Sequence, residues 1–236
     1  MSPLGKLFGR SGEGKQPRSA REAFPLAQDA LTSWSAVDAP SAQLCCVYSS
    51  VMDADRELGK DGRSRAWHFD FHLEKSQSFY LVRVVDGKAK GRERRASKNP
   101  VEYIYALYGS TDKARKFAEP VMVPHDWVDT TAVAETAYAA FERELADLDP
   151  GILYDYGLVC ICLAASYVRY LHPEWEPTLL HKPVPSELCY AALIAHADID
   201  QHDSLMVYVN AATGEEAGAE RFRFPEFGFM GTSADW

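Results

Sequence analysis

Within RAWHFDFHL, residues 65–73, three side chains of metal-binding type stand at every second position: His68, Asp70 and His72. On a strand, alternate residues share a face and second neighbours lie ~6.5–7 Å apart. Two imidazoles and a carboxylate so arranged suit zinc or iron. Trp67, Phe69, Phe71 and Leu73 then occupy the other face. The same spacing also arises whenever an antiparallel strand keeps one face in water. That plainer reading is preferred, so no metal or other cofactor is expected, and His68, Asp70 and His72 stand as the candidate ligands should one be bound.

A second run, HADIDQH, puts His196, Asp198, Asp200 and His202 at even spacing, and it too reads as a solvated face. The loop DADRELGKDG holds Asp53, Asp55 and Asp61 but lacks the glycine at position six and the glutamate at position twelve of a calcium loop. Cys160-x-Cys162 has no second pair to complete a metal site, and buried structural thiols are the commoner case. Glu142, Glu144, Asp147 and Asp149 read as the wet end of a helix. There is no Gly-x-Ser-x-Gly elbow, no P-loop and no dinucleotide fingerprint. These residues give no reason to propose an enzyme.

Bulk properties narrow the partners. The chain has 236 residues, a formal net charge of −9 and a pI near 5.3. Such acidity opposes general binding of nucleic acid or anionic membrane. The longest apolar run, about Gly157 to Val168, is shorter than the ~20 residues of a membrane-spanning helix. Five cysteines, with Cys45 and Cys46 adjacent, do not make a spaced disulfide framework. Residues 1–15 lack a signal-peptide core. These features together lead to the expectation of a bacterial cytoplasmic protein.

The elements that would position such residues are legible in the periodicity. Residues 1–19 read as a flexible tail. Phe24, Ala27, Leu31 and Trp34 mark a helix, which Ser19 and Glu22 could open as a capping box. QLCCVYSS, RAWHFDFHL and SFYLVRVV read as strands packing against it, with the other sheet face free. The basic run KAKGRERRASK reads as a solvated hairpin exit or linker. Residues 20–99 thus form a first α+β unit, and 100–119 a helical linker. A second unit spans 120–220, in which Asp129, Thr130 or Thr131 caps a helix striped by Val133, Ala137, Ala140, Phe141, Leu145 and Leu148. Within 151–187, helix and strand both remain open, although LVCICL has strand chemistry. The expected core holds Trp34, Trp67, Phe69, Phe71, Phe141 and Val207.

The two units close on like phrases, QSFYLVRVVDGKAKG (77–91) and DSLMVYVNAATGEEAG (203–218). VYVNAATGEE (207–216) within the second of these, together with DWVDTTAVAETAYAAF (126–141), resembles the PepSY-type repeat. SAREAFPLAQDAL, AWHFDF and VRVVDGKA look like a more diverged first copy. The resemblance covers about residues 20–90 and 120–218. It implies cystatin-like helix-on-sheet modules with binding or inhibitory roles, often toward peptidases or at envelopes, and it carries no catalytic residues.

The leading expectation is therefore a non-enzymatic binding or adaptor protein, an inhibitor- or immunity-like partner of another protein. A structural subunit of a larger assembly, including a homo-oligomer, is the first alternative. A metal-dependent enzyme on the His68, Asp70 and His72 face is the second. The candidate contacts are terminal: Leu4, Leu7 and Phe8 at helical spacing in a basic tail, and Phe227, Phe229 and Trp236 in the aromatic segment 221–236. Packing of that last segment back onto its own chain is the preferred reading.

Overall fold

Ser19 opens the first helix as its neighbours suggest. Its hydroxyl accepts from the Glu22 amide, and the Glu22 carboxylate accepts from the Ser19 amide at 3.0 Å, closing the capping box. The computed structural model describes residues 16–50, 58–73, 78–94, 123–163, 188–198 and 201–223. Helix α1 (Ala20–Trp34) leads through a 3-10 turn (Ala39–Ser41) into β1 (Ala42–Ser50), β2 (Ala66–Leu73), β3 (Ser78–Val85) and β4 (Lys88–Arg94). Helix α2 (Thr130–Glu144) and a short helical turn α3 (Pro150–Leu153) precede β5 (Tyr156–Leu163), β6 (Cys189–His196), β7 (Ser204–Asn210) and β8 (Glu216–Phe222).

The eight strands of the described residues join one antiparallel sheet in the order β4-β3-β2-β1-β5-β6-β7-β8. The protein is thus α+β, as expected. LVCICL resolves as strand β5, and it pairs with β1 at the middle of the sheet, Val47 opposite Leu163 and Tyr48 opposite Cys162. α1 lies over β2, β3 and β4, and α2 over β6, β7 and β8. Their buried faces join one continuous core.

The residues nearest the sheet are small: Ala20, Ala23 and Ala27 on α1, and Ala134, Ala137 and Ala140 on α2. The sheet supplies the bulk, with Trp67, Phe69, Phe71 and Tyr190 almost wholly buried. Phe24 packs edgewise on Trp127 and beside Phe69, with ring centroids 6.0 and 5.6 Å away. Phe141 and Val207 are also buried. Trp34 departs from the expectation: it is 39% exposed. It is the last residue of α1, standing over the sheet's edge strands, where no further layer covers it among the described residues.

Two further expectations need correction. KAKGRER is a strand, not an exit, and EAGAERF is its counterpart at the far side. Both are outermost in the sheet, where a strand needs one partner only and charged side chains guard the open edge. β3 and β4 meet at Asp86-Gly87, both in left-handed conformation (φ 50° and 74°), the two-residue turn that matches strand twist. The sheet face away from the helices is also not free. Cys162, Cys189, Ala191, Leu193, Tyr208 and Glu220 on it are buried, and His68 is 8% exposed.

The helix N-termini meet above the central strands. Asp129 caps α2 and also accepts from the Arg21 amide of α1, while the Thr130 hydroxyl accepts from the Ala20 amide at 3.1 Å. The Arg21 guanidinium donates to the Trp127 and His125 carbonyls and lies 4.8 Å from the centre of the Trp127 ring. Two positive helix ends are thus held together by one carboxylate and one hydroxyl.

Candidate functional site

The His68, Asp70 and His72 row lies on the face away from the helices, as strand alternation requires, with Phe69 and Phe71 opposite. His68 stacks flat on Tyr48, centroids 4.5 Å apart and planes 8° apart. It is therefore packed beside its strand neighbour. Asp70 and His72 are half-buried. In the second run, His196 and His202 come together, with centroids 3.9 Å apart. His196 Nδ1 accepts from the Asp198 amide at 2.9 Å, and Nε2 lies 3.8 Å from Asp155. Burial, then the neighbouring His202, push His196 below the usual imidazole range. Both of its nitrogens already have neighbours. Among the described residues no group of three His, Cys, Asp or Glu side chains is placed to hold a metal ion. Asp61 accepts from the Arg63 amide in a local turn; Asp53, Asp55 and Asp200 lie outside the described residues.

The cysteines cluster where β1 meets β5. Cys46 and Cys162 hydrogen-bond to each other, and Cys45 Sγ donates to the Asp70 carbonyl at 3.1 Å. Burial pushes the Cys45 thiol well up and takes Cys160 to about 12; the bond to Cys162, then burial, do the same for Cys46. Burial likewise raises Tyr80, Tyr138, Tyr156, Tyr190 and Tyr208. Thiols held protonated in this way are not poised as nucleophiles.

Their protonation has a pH consequence. An unfolded thiol ionises near pH 9, whereas these stay protonated, so above that pH the unfolded chain binds fewer protons than the folded one. Stability is then fully present below about pH 9 and is lost as the pH rises toward the folded values. Each lagging group adds a slope approaching about 1.4 kcal/mol per pH unit. Urea midpoints should fall steadily from about pH 9 to pH 11. A flat or rising midpoint would show these groups in water.

A different surface is open. Leu26, Asp29, Ala30, Ser33 and Trp34 on the flank of α1 face Tyr80, Ala89 and Gly91 across a groove of about 510 Å³. Trp34 stacks on Tyr80, centroids 4.5 Å and planes 22° apart. Tyr80 in turn lies over Gly91, where a Cβ would come within 2.1 Å of its hydroxyl oxygen. Only glycine leaves room for the ring to cross the strand. β4 forms the groove's outer rim, and Lys88, Lys90, Gly91, Arg92 and Glu93 are all exposed. Register puts Ala89, Gly91 and Glu93 on the helix side, opposite Val84, Val82 and Tyr80. Lys88, Lys90 and Arg92 therefore share the other side.

Sequence reasoning missed this place, because it assigned Trp34 to the core and KAKGRER to a linker. The signal that could have found it is the alternation of Lys and Arg after an Asp-Gly turn. The terminal candidates Leu4, Leu7, Phe8, Phe227, Phe229 and Trp236 lie outside the described residues, as do the proposed linker 100–119 and most of 151–187.

No family model matches the sequence, and no curated protein matches it. Among solved structures, a "putative lipoprotein" from Clostridium difficile 630 is 10% identical, with 89% of this chain and 96% of that one covered and a TM-score of 0.43. The C-terminal domain of Bacillus megaterium YpeB is 13% identical, over 89% of this chain and 68% of that one, with a TM-score of 0.23. Both of these proteins come from bacteria. The cytoplasmic expectation is corrected here, since the first of these is named a lipoprotein. Among the described residues no helix is long and apolar enough to cross a membrane.

Proposed function

We propose that this chain is a non-catalytic binding protein, an inhibitor- or immunity-like partner of another bacterial protein, built from two diverged PepSY-type copies. The observation that carries the binding reading is the Trp34–Tyr80 groove. It is an open surface beside an exposed strand, walled by the buried Tyr80 ring and by Trp34, which is left partly in water, and a large aromatic side chain so placed favours partner contact.

Paired local features support the two copies. β1 and β5 each carry a register shift just before a cysteine, at Leu44/Cys46 and Leu158/Cys160. Trp67 on β2 donates to the Arg18 carbonyl at 2.8 Å, and Tyr190 on β6 donates to the Val128 carbonyl at 2.6 Å. Arg18 and Val128 each directly precede a helix cap, Ser19 and Asp129. The positive-φ glycines of the outer hairpins, Gly87 and Gly214, approach these same two residues. The like phrases at 77–91 and 203–218 then describe a scaffold device, an edge hairpin whose glycine abuts the start of its own helix.

The test is capture from native lysate by the full chain and by Trp34→Ala, compared side by side. A protein retained by the first and lost with the second supports the reading. Equal capture by both, or by neither, removes the groove from the function.

A further inference from the structure

We infer that β4 takes up an acidic extended segment of another protein by strand addition, with the segment's apolar side chains entering the Trp34–Tyr80 groove and its carboxylates lying along Lys88 and Lys90. This rests on the binding reading above and names the partner's chemistry. An edge strand presents backbone donors and acceptors in a row, and an added strand satisfies them while alternate side chains set specificity. Among the described residues β4 ends the sheet on its side, and it is exposed through most of its seven residues.

The two faces of β4 ask for different side chains. Toward the helices, the next strand would lie beside Leu26 and Ala30, with Ala89 and Gly91 behind it and Trp34 at one end. Asp29 in that groove disfavours a carboxylate there, so apolar side chains fit this side. Toward the other face, Lys88 and Lys90 stand exposed in line with Arg92. This basic row belongs to a chain of net charge −9, so its attraction for carboxylates is local. A second copy of β4 would bring like charges together across the new pairing, which is destabilising. The opposite edge differs: on β8, Ala219 and Glu220 are buried. Among the described residues the β4 edge is therefore the more exposed of the two, and its outward row is basic.

The probe is the peptide Val-Glu-Val-Glu-Val-Glu-Val, capped at both ends and titrated into the full chain by calorimetry. Saturable binding is expected. Lys88→Glu with Lys90→Glu, both at exposed sites that the fold does not need, should weaken it about tenfold, and Trp34→Ala should weaken it comparably. Two versions N-methylated at alternate residues should behave differently, because only one set of amides faces β4. Absence of binding, equal binding by the two N-methylated peptides, or an unchanged affinity in the charge-reversed variant would overturn strand addition. So would sedimentation with phosphatidylglycerol vesicles that the charge reversal abolishes while the peptide fails to bind, which would give the row to a membrane. A peptide failure beside Trp34-dependent capture from lysate sinks strand addition alone; failure of both sinks the binding reading as well.

Discussion

Replacing Phe69 by alanine should lower the unfolding free energy by about 3–5 kcal/mol, the range for deleting a buried phenyl ring. Phe69 has no exposed surface. It stands opposite Val47 on one neighbouring strand and Val82 on the other, with Phe24 over it. Collapse into the space is restricted, because Trp67, Phe71 and Trp127 around it are themselves buried and Trp67 is tied to the Arg18 carbonyl. The small helix residues Ala20, Ala23 and Ala27 cannot reach across the gap. The cavity term therefore adds to the lost transfer energy. Urea unfolding with an unchanged slope is the measurement, and a loss below about 1.5 kcal/mol would place Phe69 outside the packed core.

The same strand shows what the sequence made legible. Alternation in RAWHFDFHL put Phe69 and Phe71 on the helix side because the pleat has period two, whatever the tertiary context. The capping box at Ser19 and the cap at Asp129 were legible for a similar reason: both are local. The free far face was not a sound inference, because alternation sorts residues by face without saying which faces stay wet. Tyr48 against His68 is a contact between residues of different strands, and nothing in either strand alone encodes it. The outer strands were missed through composition. Lys, Arg and Glu in KAKGRER look like a linker when each residue is counted, but an edge strand is where such residues are tolerated. The groove failed with them, since Trp34 has the spacing of a core residue and is exposed only because α1 ends above the edge strands.

The connection between the two halves yields the second large effect. Gly62→Ala should cost about 2–5 kcal/mol, more than a loop substitution ordinarily does. Gly62 sits between β1 and β2 with φ +73°, a conformation that costs a residue with a Cβ roughly 1–2 kcal/mol. A Cβ there would also lie 2.0 Å from the Thr130 carbonyl oxygen and 3.0 Å from the Ala134 Cβ. Neither can swing aside, because both belong to α2. Relief requires the first turn of that helix to move, an overpacking cost of about 1–3 kcal/mol. Movement of Thr130 would also pull at its bond from the Ala20 amide, and with it the junction that Asp129 and Arg21 hold. Gly59→Ala is the control. Its nearest obstacle, at 2.5 Å, is the Asp61 carboxylate, the movable end of a side chain, and its φ lies outside the left-handed region. Melting curves of the two variants should separate them clearly, with Gly59→Ala close to the parent protein. Equal curves would mean that the β1–β2 connection does not press on α2.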